Sequence, residues 1–298
     1  MAELRYDGKV AVITGAGHGL GRSHALTLAS RGAKVVVNDL GGKTDGTGAS
    51  HSAADEVVNE IKAKGGEAVA NYDSVSTQAS AEKIIKTAID SYGRVDILIN
   101  NAGILRDKSF KNMTAEEWQA VIDVHLCGTM WVTKAAWKYM YDEQQYGRIV
   151  NTTSAAGVFG NFGQTNYAAA KMGIVGMSHV WAQEGAKRNI KVNVLAPGAR
   201  TRMTEDLLGP LAEQMHPELV TPIVAYLAHE ECPVTGEIFS AAGGRVARIF
   251  IGACLGYYNK NLTVEDVRDN FAKIEDMTDF TVPRSAMEEM GLLMKVAG

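Results

Sequence analysis

The chain has 298 residues, 46% of them hydrophobic and 21% charged, which excludes a disordered chain and suits either one large domain with an appendage or two domains of similar size. The formal net charge of -4 lacks the basic surplus typical of proteins that bind nucleic acids, so we expect no nucleic-acid partner. Three widely spaced cysteines indicate neither a disulfide framework nor a bound metal. No apolar signal region or membrane span occurs, and the odd number of widely spaced cysteines favours a reducing compartment.

Short apolar runs alternate with segments of helical periodicity over the first 244 residues. The first run, residues 9–14 (KVAVIT), leads through a glycine-rich turn into a helical pattern over 19–31. Near-continuous apolar runs that alternate with helices are typical of buried parallel strands. We therefore predict an α/β fold with a doubly wound parallel sheet of seven strands, the Rossmann fold. The other predicted strands are residues 34–39, 67–72, 96–100, 147–152, 190–195 and 237–240, and the other helices are residues 53–64, 79–92, 115–140 and 166–187.

The turn after the first strand reads TGAGHGLG over residues 14–21. Gly15 can take backbone angles that are closed to other residues. Gly19 and Gly21 let the backbone approach a diphosphate and let the helix pack close to the sheet. The diphosphate would lie at the amino end of the helix, where unpaired N–H groups favour negative charge. Because the glycines lie between a strand and a helix, the pattern predicts a dinucleotide site.

Asp39 ends the second strand, 18 residues after Gly21. An acid at this place can hydrogen-bond the adenosine ribose and repels a 2′-phosphate, so we expect NAD as the cofactor. His18 and Arg22 leave NADP open, because either could offer positive charge near such a phosphate. Residues 41–52 (GGKTDGTGASHS) lie between the second strand and its helix, and we call them the glycine-rich loop. We interpret it as a mobile surface loop, with a flap beside the adenosine as the alternative.

Ser154, Tyr167 and Lys171 form the strongest catalytic pattern in the chain. Ser154 follows a predicted strand and precedes Tyr167 by 13 residues, and Lys171 follows Tyr167 by four. Positions i and i+4 share one face of a helix, so an ammonium there would stabilise the phenolate and lower the Tyr167 pKa. Such a tyrosine can exchange a proton with a substrate hydroxyl that Ser154 also holds. We predict Ser154 and Tyr167 as the substrate-binding residues.

With TGAGHGLG, Asp39, NNAG at residues 100–103 and LAPG at residues 195–198, this pattern resembles the short-chain dehydrogenase/reductase family over residues 8–244. The resemblance implies an NAD-dependent oxidoreductase that acts on a CH–OH group. It implies Ser154, Tyr167 and Lys171 as catalytic residues. The cofactor-binding residues that we expect are Gly15, Gly19, Leu20, Gly21, Asp39, Asp73, Ser74, Val75, Asn101, Ala102, Gly103, Tyr167, Lys171, Pro197, Gly198 and Thr201.

His125 departs from the family pattern, which usually has an asparagine at this position. In the family this asparagine helps to position a water beside the lysine in a proton relay. Histidine can donate or accept a proton, so we include His125 among the candidate catalytic residues. The alternative is a buried, hydrogen-bonded histidine with a structural role only.

Longer stretches, among them GNFGQTNYAAAK and AVANYDSV, resemble the branch of the family that oxidises (3R)-3-hydroxyacyl-CoA to 3-ketoacyl-CoA with NAD. A 17β-hydroxysteroid or other secondary-alcohol dehydrogenase is the alternative, and a nucleotide-binding module without catalysis is a third reading. The resemblance also implies a homo-oligomer, a dimer or a tetramer. The chain departs from that branch because it lacks the fused domains and a peroxisomal signal, so we expect a stand-alone, cytoplasmic member.

The last part of the chain, residues 245–298, follows the strand series and is rich in apolar side chains such as Phe250, Met290 and Met294. We predict an NAD-binding core over residues 1–244 and a C-terminal extension over 245–298 that packs on the core or on a neighbouring subunit. Residues 200–217 are expected to cover the substrate, with Met203, Leu207 and Leu208 as candidates for an apolar slot.

Overall fold

A computed structural model describes residues 3–201 and 213–297. Within these residues the main sheet contains all seven predicted strands and an eighth. The strands of this sheet are β1 Val10–Thr14, β2 Lys34–Asn38, β3 Glu67–Asn71, β4 Ile97–Asn100, β5 Gly147–Thr152, β6 Ile190–Gly198, β7 Ile238–Ala242 and β8 Arg245–Ile249.

The helices of the first 248 residues follow the predicted series, with two short additions after β5 and β6. They are α1 Gly19–Ser30, α2 Ser52–Ala63, α3 Gln78–Tyr92, α4 Ala115–Val121, α5 Gly128–Lys138, α6 Ala155–Phe159, α7 Thr165–Gly185 and α8 Thr221–Ala228. The single helix predicted over 115–140 contains two π-helical turns, Ile122–Cys127 between α4 and α5 and Tyr139–Gln144 after α5. One of these turns carries His125, and π-helical turns inside helices are frequent at functional sites.

The strand order of the sheet is β3-β2-β1-β4-β5-β6-β7-β8. The first seven strands pair in parallel, so their carboxyl ends lie along one edge. The chain moves outward from β1 to β3 and then returns to the other side of β1 with β4. In open α/β sheets ligands bind outside the carboxyl ends at this reversal of strand order. The doubly wound Rossmann fold is therefore confirmed, and its crevice lies between β1 and β4.

Both faces of the sheet are buried. Ala11 and Ile13 of β1 belong to a core cluster with residues of α1, α2 and α8, whereas Val10 and Val12 belong to a second cluster with residues of α3 and α5. Successive side chains of a strand point to opposite faces, so a strand covered on both sides is apolar at most of its positions. This burial explains why β1 is a continuous apolar run.

The eighth strand extends the sheet beyond the seven that the sequence predicted. Only Gly243 and Gly244 connect β7 to β8, and both glycines have positive φ, 53° and 82°. A connection this short joins antiparallel strands, and two positive φ values are typical of a type I′ hairpin turn. The sheet is thus parallel through β7 and ends in an antiparallel edge strand.

The chain divides into two compact units, Met1–Arg248 and Ile249–Gly298. In the second unit the short strands β9 Ala253–Cys254 and β10 Phe280–Thr281 pair antiparallel, and the Phe250 and Phe280 rings stack with centroids 5.8 Å apart. This division lies four residues after the boundary in the sequence, and the packing of residues 245–298 on a neighbouring subunit stays a prediction. The helices of this unit are α9 Val264–Asp269, α10 Phe271–Ile274, α11 Ala286–Met290 and α12 Leu292–Ala297. Across the described ranges, no helix combines the length and the apolar character needed to cross a membrane.

Candidate active site

The glycine-rich turn after β1 forms a cradle of backbone at the crevice. Gly15 has a φ of 63°, and a Cβ at this residue would lie 2.8 Å from the Cα of Ala102. The Asn101 side-chain amide donates to the carbonyl oxygens of Thr14 (3.1 Å) and Gly15 (3.0 Å), which ties the end of β4 to the turn. With no side chain in the way, the backbone can approach a diphosphate at the amino end of α1, so the cradle fits a dinucleotide.

Gly21 and Gly198 do not line the pocket, although the sequence predicted both as cofactor-binding residues. A Cβ at Gly21 would lie 2.2 Å from the Gly15 carbonyl oxygen, and one at Gly198 would lie 2.9 Å from the Ala242 Cβ. These two positions are therefore filled by protein atoms. The structure gives both glycines a packing role, Gly21 beneath the turn and Gly198 against β7.

Asp39 lies directly after β2 and is held by two backbone donors. Its Oδ2 accepts from the Gly17 N–H at 2.7 Å, and its Oδ1 accepts from the Gly41 N–H at 2.7 Å. A carboxylate offers about four acceptor sites, so it can still accept from ribose hydroxyls. Asp39 thus connects the glycine turn to the glycine-rich loop and faces the pocket.

Asn38 positions the next residue expected at the adenine. Its side-chain amide donates to the Asn71 side-chain oxygen and to the Asp73 carbonyl oxygen, both at 2.8 Å. Asn38 is buried, so these bonds are shielded from water. The bonds hold the segment after β3 at the sheet edge, where Asp73, Ser74 and Val75 line the pocket.

Ser154, Tyr167 and Lys171 meet at the other end of the same pocket. Ser154 follows β5 and caps α6, with its hydroxyl oxygen accepting from the Ala156 N–H at 3.2 Å. Tyr167 and Lys171 lie one turn apart on α7, and the Lys171 Nζ is 5.4 Å from the centroid of the Tyr167 ring. The three side chains are therefore brought together as the spacing predicted.

The pKa of Tyr167 is raised, whereas the sequence predicted that Lys171 would lower it. Burial is the largest cause, because it penalises the phenolate. A hydrogen bond with Ser154 lowers the pKa, and the negative charge of Asp107 raises it. Lys171 is itself buried, which lowers its pKa and so reduces the fraction of this side chain that carries a positive charge at neutral pH.

Burial lowers the pKa of Lys171 from 10.5 to about 7. The side chain is 3% exposed, and its Nζ donates to the Thr152 carbonyl oxygen at 2.7 Å. A lysine with this pKa is only partly protonated at neutral pH. The site therefore holds a phenol whose pKa is raised and an amine whose pKa is lowered, so the amine loses its proton at a lower pH than the phenol does.

His125 lies beside this group, on the π-helical turn Ile122–Cys127. Its ring meets the Tyr167 ring edge to face, with centroids 5.2 Å apart and an interplanar angle of 83°. Burial and the positive charge of Lys171 lower the His125 pKa to about 3. The ring is therefore neutral at neutral pH and does not supply a proton as an imidazolium.

One continuous cleft of about 700 Å³ contains both ends of the site. Except for Gly21 and Gly198, every cofactor-binding and catalytic residue that the sequence predicted lines it. Met203, Leu207 and Leu208, expected near the substrate, lie outside the described residues. Across the described ranges, no group of three His, Cys, Asp or Glu side chains could hold a metal ion.

Sequence reasoning missed part of the lining. Gln164 is buried, with its Nε2 donating to the Asp107 carboxylate at 2.7 Å and its Oε1 accepting from the Asn161 amide at 2.9 Å. The glycine-rich loop lines the pocket as well. This position agrees with the alternative interpretation, a flap beside the adenosine, better than with the mobile surface loop that we favoured from the sequence. Its high glycine content was the available signal. The lining residues that the sequence analysis did not assign to the site include Lys43, Thr44, Gly46, Ile104, Asn161 and Gln164.

Comparison with known proteins decides the family. The short chain dehydrogenase family matches residues 9–209, which is more than half of the chain. This chain belongs to the short-chain dehydrogenase family. It is therefore an oxidoreductase of the dehydrogenase type, and the family implies a nicotinamide cofactor. The sheet-edge cradle and the Ser154, Tyr167 and Lys171 group are the features by which the sequence resembled this family.

Two curated relatives and one solved structure extend the comparison. The peroxisomal multifunctional enzyme type 2 of Mus musculus is 49% identical over 98% of this chain, which spans 40% of that protein. A short-chain type dehydrogenase/reductase of Mycobacterium tuberculosis is 54% identical over 91% of this chain and 95% of its own. The full-length peroxisomal multifunctional enzyme type 2 of Drosophila melanogaster matches with a TM-score of 0.83 and 41% identity, over 98% of this chain and 50% of that one.

Proposed function

We propose that this short-chain dehydrogenase oxidises (3R)-3-hydroxyacyl-CoA to 3-ketoacyl-CoA with NAD as the hydride acceptor. The observation that carries the chemistry is the convergence of Ser154, Tyr167 and Lys171 on a cleft whose other end holds Asp39 and the glycine turn. The substrate class is supported by the similarity to multifunctional enzymes type 2 over 98% of the chain. It is also supported by the stretches that resemble the hydroxyacyl-CoA branch.

Residues from both sides of the crevice would hold NAD. The backbone around Gly15 and the amino end of α1 offer N–H groups to the diphosphate, and the Asp39 carboxylate accepts from the adenosine ribose. The negative charge of Asp39 also disfavours a 2′-phosphate, which supports NAD over NADP. When bound, NAD supplies the acceptor for the hydride that leaves the carbinol carbon.

Ser154 and Tyr167 act on the substrate hydroxyl. Ser154 donates a hydrogen bond to the substrate oxygen, and the Tyr167 oxygen takes the hydroxyl proton while the hydride leaves carbon 3 and the C–O bond becomes a carbonyl. Lys171 bonds to the Thr152 carbonyl oxygen and keeps a positive charge near the tyrosine when protonated. In the reverse direction, Tyr167 returns the proton to the ketone oxygen.

The direction of the Tyr167 pKa shift has a consequence for pH dependence. Oxidation needs the deprotonated tyrosine, and burial raises its pKa, so the oxidation rate should rise with pH above neutrality. Reduction needs the protonated tyrosine and should be favoured at the lower end of the same range. Parallel pH profiles for the two directions would contradict the assignment of Tyr167.

The decisive experiment follows NADH formation with matched (3R)- and (3S)-3-hydroxyacyl-CoA esters and with a 17β-hydroxysteroid. We expect turnover of the 3R ester, far ahead of the 3S ester and the steroid. NADP in place of NAD is the matched cofactor control. Turnover of the steroid alone would instead assign a hydroxysteroid dehydrogenase with the same catalytic residues, and binding of NAD without any turnover would favour the nucleotide-binding module.

We also propose a cytoplasmic homo-oligomer in which residues 245–298 pack on the core or on a neighbouring subunit. The apolar content of this extension supports the proposal, because side chains such as Phe250, Met290 and Met294 are costly to leave in water. Light scattering of the full chain after size-exclusion chromatography tests it. A dimer or a tetramer is expected, and a monomer at micromolar concentration would contradict it.

A further inference from the structure

We propose that the glycine-rich loop positions Tyr167 through His125, by a contiguous set of contacts that begins at Gly46 and passes through Ile104. The role of Tyr167 in this inference rests on the proposed function. His125 is then a positioning residue, whose effect on the reaction passes through the tyrosine that it touches. The inference extends the loop from a flap beside the cofactor to a part of the catalytic geometry.

The loop is docked onto the segment that follows β4. The Leu105 N–H donates to the Thr44 carbonyl oxygen at 2.9 Å. Gly46 has a φ of 84°, and a Cβ at this residue would lie 3.1 Å from the Cδ1 and Cγ2 atoms of Ile104. Within the loop, the Lys43 N–H donates to the Thr47 carbonyl oxygen at 2.8 Å. The loop is therefore an ordered turn that rests on Ile104, and a methyl group at Gly46 would press on the Ile104 side chain.

Ile104 in turn is held by His125. The Ile104 N–H donates to the His125 Nε2 at 3.0 Å, and the Ile104 carbonyl oxygen lies 2.8 Å from the same nitrogen. A neutral imidazole accepts the first bond in one tautomer and donates the second in the other, so either tautomer stays bonded to Ile104. Both residues are buried, at 8% and 1% exposure, and water does not compete for these bonds.

His125 is packed between Tyr167 and the backbone at Gly103. Its ring packs edge to face on the Tyr167 ring, and a Cβ at Gly103 would lie 2.4 Å from its Cε1. The ring thus fills the space between the tyrosine and the backbone after β4. Because burial and Lys171 hold its pKa at about 3, it stays neutral and keeps this hydrogen bonding at neutral pH.

The same loop is also attached to the adenosine end of the pocket. The Gly41 N–H donates to the Asp39 Oδ1 at 2.7 Å. One short segment therefore contacts the residue expected at the ribose and, through Ile104 and His125, the residue expected at the substrate hydroxyl. A small displacement of Gly46 should reach Tyr167, because packed interiors transmit strain.

Two glycines of the loop provide a matched test. Gly46 and Gly48 both have positive φ, 84° and 78°, so an alanine is strained by a similar amount at either position. A Cβ at Gly48 meets nothing within 4 Å, whereas one at Gly46 presses on Ile104. The difference between Gly46→Ala and Gly48→Ala therefore isolates the contact with Ile104.

The first readout is the ¹⁵N spectrum of the His125 ring in the protein without substrate, assigned with the variant His125→Phe. We expect Gly46→Ala to shift these signals and Gly48→Ala to leave them unchanged. The second readout is the hydride-transfer rate in a single turnover at saturating NAD. Gly46→Ala should slow it by about tenfold, and Gly48→Ala by less than about twofold, because small misplacements of reacting groups reduce rates steeply.

Combining Gly46→Ala with His125→Phe completes the test. If the loop acts through His125, the loss of rate in the double variant is smaller than the product of the two single losses. Equal ¹⁵N spectra for both alanine variants, or strictly multiplicative losses, would overturn the inference. If His125→Phe does not fold, the difference in single-turnover rate between Gly46→Ala and Gly48→Ala still decides.

Failure of the proposed function would look different. In that case (3R)-3-hydroxyacyl-CoA is not oxidised by the unaltered protein, while the ¹⁵N spectra still report whether the loop reaches His125. The single-turnover experiment then uses whichever secondary alcohol the protein oxidises. NAD affinity, measured by fluorescence titration of each variant, separates weaker cofactor binding from a displaced tyrosine.

Discussion

The two ends of the active-site cleft are built in different ways. At the adenosine end the structure depends on the absence of a side chain, since a Cβ at Gly15 would lie 2.8 Å from the Cα of Ala102. At the catalytic end it depends on titratable side chains that have been removed from water, such as Lys171 and His125 at 3% and 1% exposure. One end is made by backbone geometry and the other by desolvation.

This difference determines what each end tolerates. At the adenosine end, dinucleotide binding should tolerate a nearby change of charge better than added side-chain volume, because the hydrogen-bond donors there are fixed backbone N–H groups. We call this the backbone end of the cleft. The catalytic end should tolerate little change of either kind, because its pKa values depend on burial as well as on neighbouring charges. Tyr167 illustrates the second case, since burial outweighs its hydrogen bond with Ser154.

The largest effect should come from removing the proton acceptor. Tyr167→Phe keeps the ring that packs on His125 and deletes only the hydroxyl, so we expect turnover to fall by about 10³-fold. NAD affinity should change little, because the adenosine end is untouched. Steady-state kinetics and a binding titration measure the two quantities, and a variant with normal turnover would refute the catalytic assignment.

A single added methyl group at the backbone end should weaken NAD binding. Gly15→Ala places a Cβ against the Ala102 backbone at a φ of 63°, so we expect NAD affinity to fall by about thirtyfold. Gly65→Ala is the matched control, with a φ of 82° and nothing within 4 Å of its Cβ. Titration with NAD should find the control unchanged, and equal losses in both variants would mean that the strained φ alone is responsible.

A change of charge at the backbone end should alter selectivity more than stability. Asp39→Asn keeps one oxygen that can accept from the Gly17 N–H but removes the negative charge. We expect the preference for NAD over NADP to fall by about tenfold. Parallel kcat/KM measurements with the two cofactors test this, and an unchanged ratio would assign the preference to another residue.

A separate effect, on folding stability, concerns a desolvated histidine away from the cleft. Burial lowers the pKa of His24 to about 3, and its Nδ1 lies 2.9 Å from the Thr221 hydroxyl oxygen. Between pH 6.5 and 3 the unfolded chain binds a proton that the folded protein does not, so stability falls as pH falls. His24→Asn should remove up to about 1.4 kcal/mol per pH unit from this slope, as urea unfolding would show. His125 contributes in the same direction and remains in the variant, and an unaltered slope would mean that His24 is protonated in the folded state.

Much of the fold was predictable because its signals are local. A strand covered on both faces is apolar at most of its residues, so β1 to β7 could be recognised as largely apolar runs. The eighth strand has a weaker sequence signal than the other seven, because β8 is an edge strand with exposed positions such as Arg245 and Val246. The paired glycines at 243 and 244 were its clearest signal, since two positive φ values in succession favour a hairpin.

The candidate site was predictable to a similar degree and for the same reason. Ser154, Tyr167 and Lys171 are related by the period of one helix and the end of one strand, and the structure brings them together. Gly21 was assigned to the pocket because a glycine pattern does not show which of its members faces the ligand. Its place beneath the Gly15 carbonyl oxygen depends on how α1 packs against the turn.

By itself the sequence determined the succession of strands and helices along the chain, the glycine turn and the residue types of the catalytic group. Each of these depends on neighbours within a few positions. Only the tertiary structure decided the direction of the Tyr167 pKa shift and the docking of Gly46 on Ile104. Both depend on atoms that lie far apart in the chain and meet in the packed interior. Burial and contact are properties of that packing, and no local pattern encodes them.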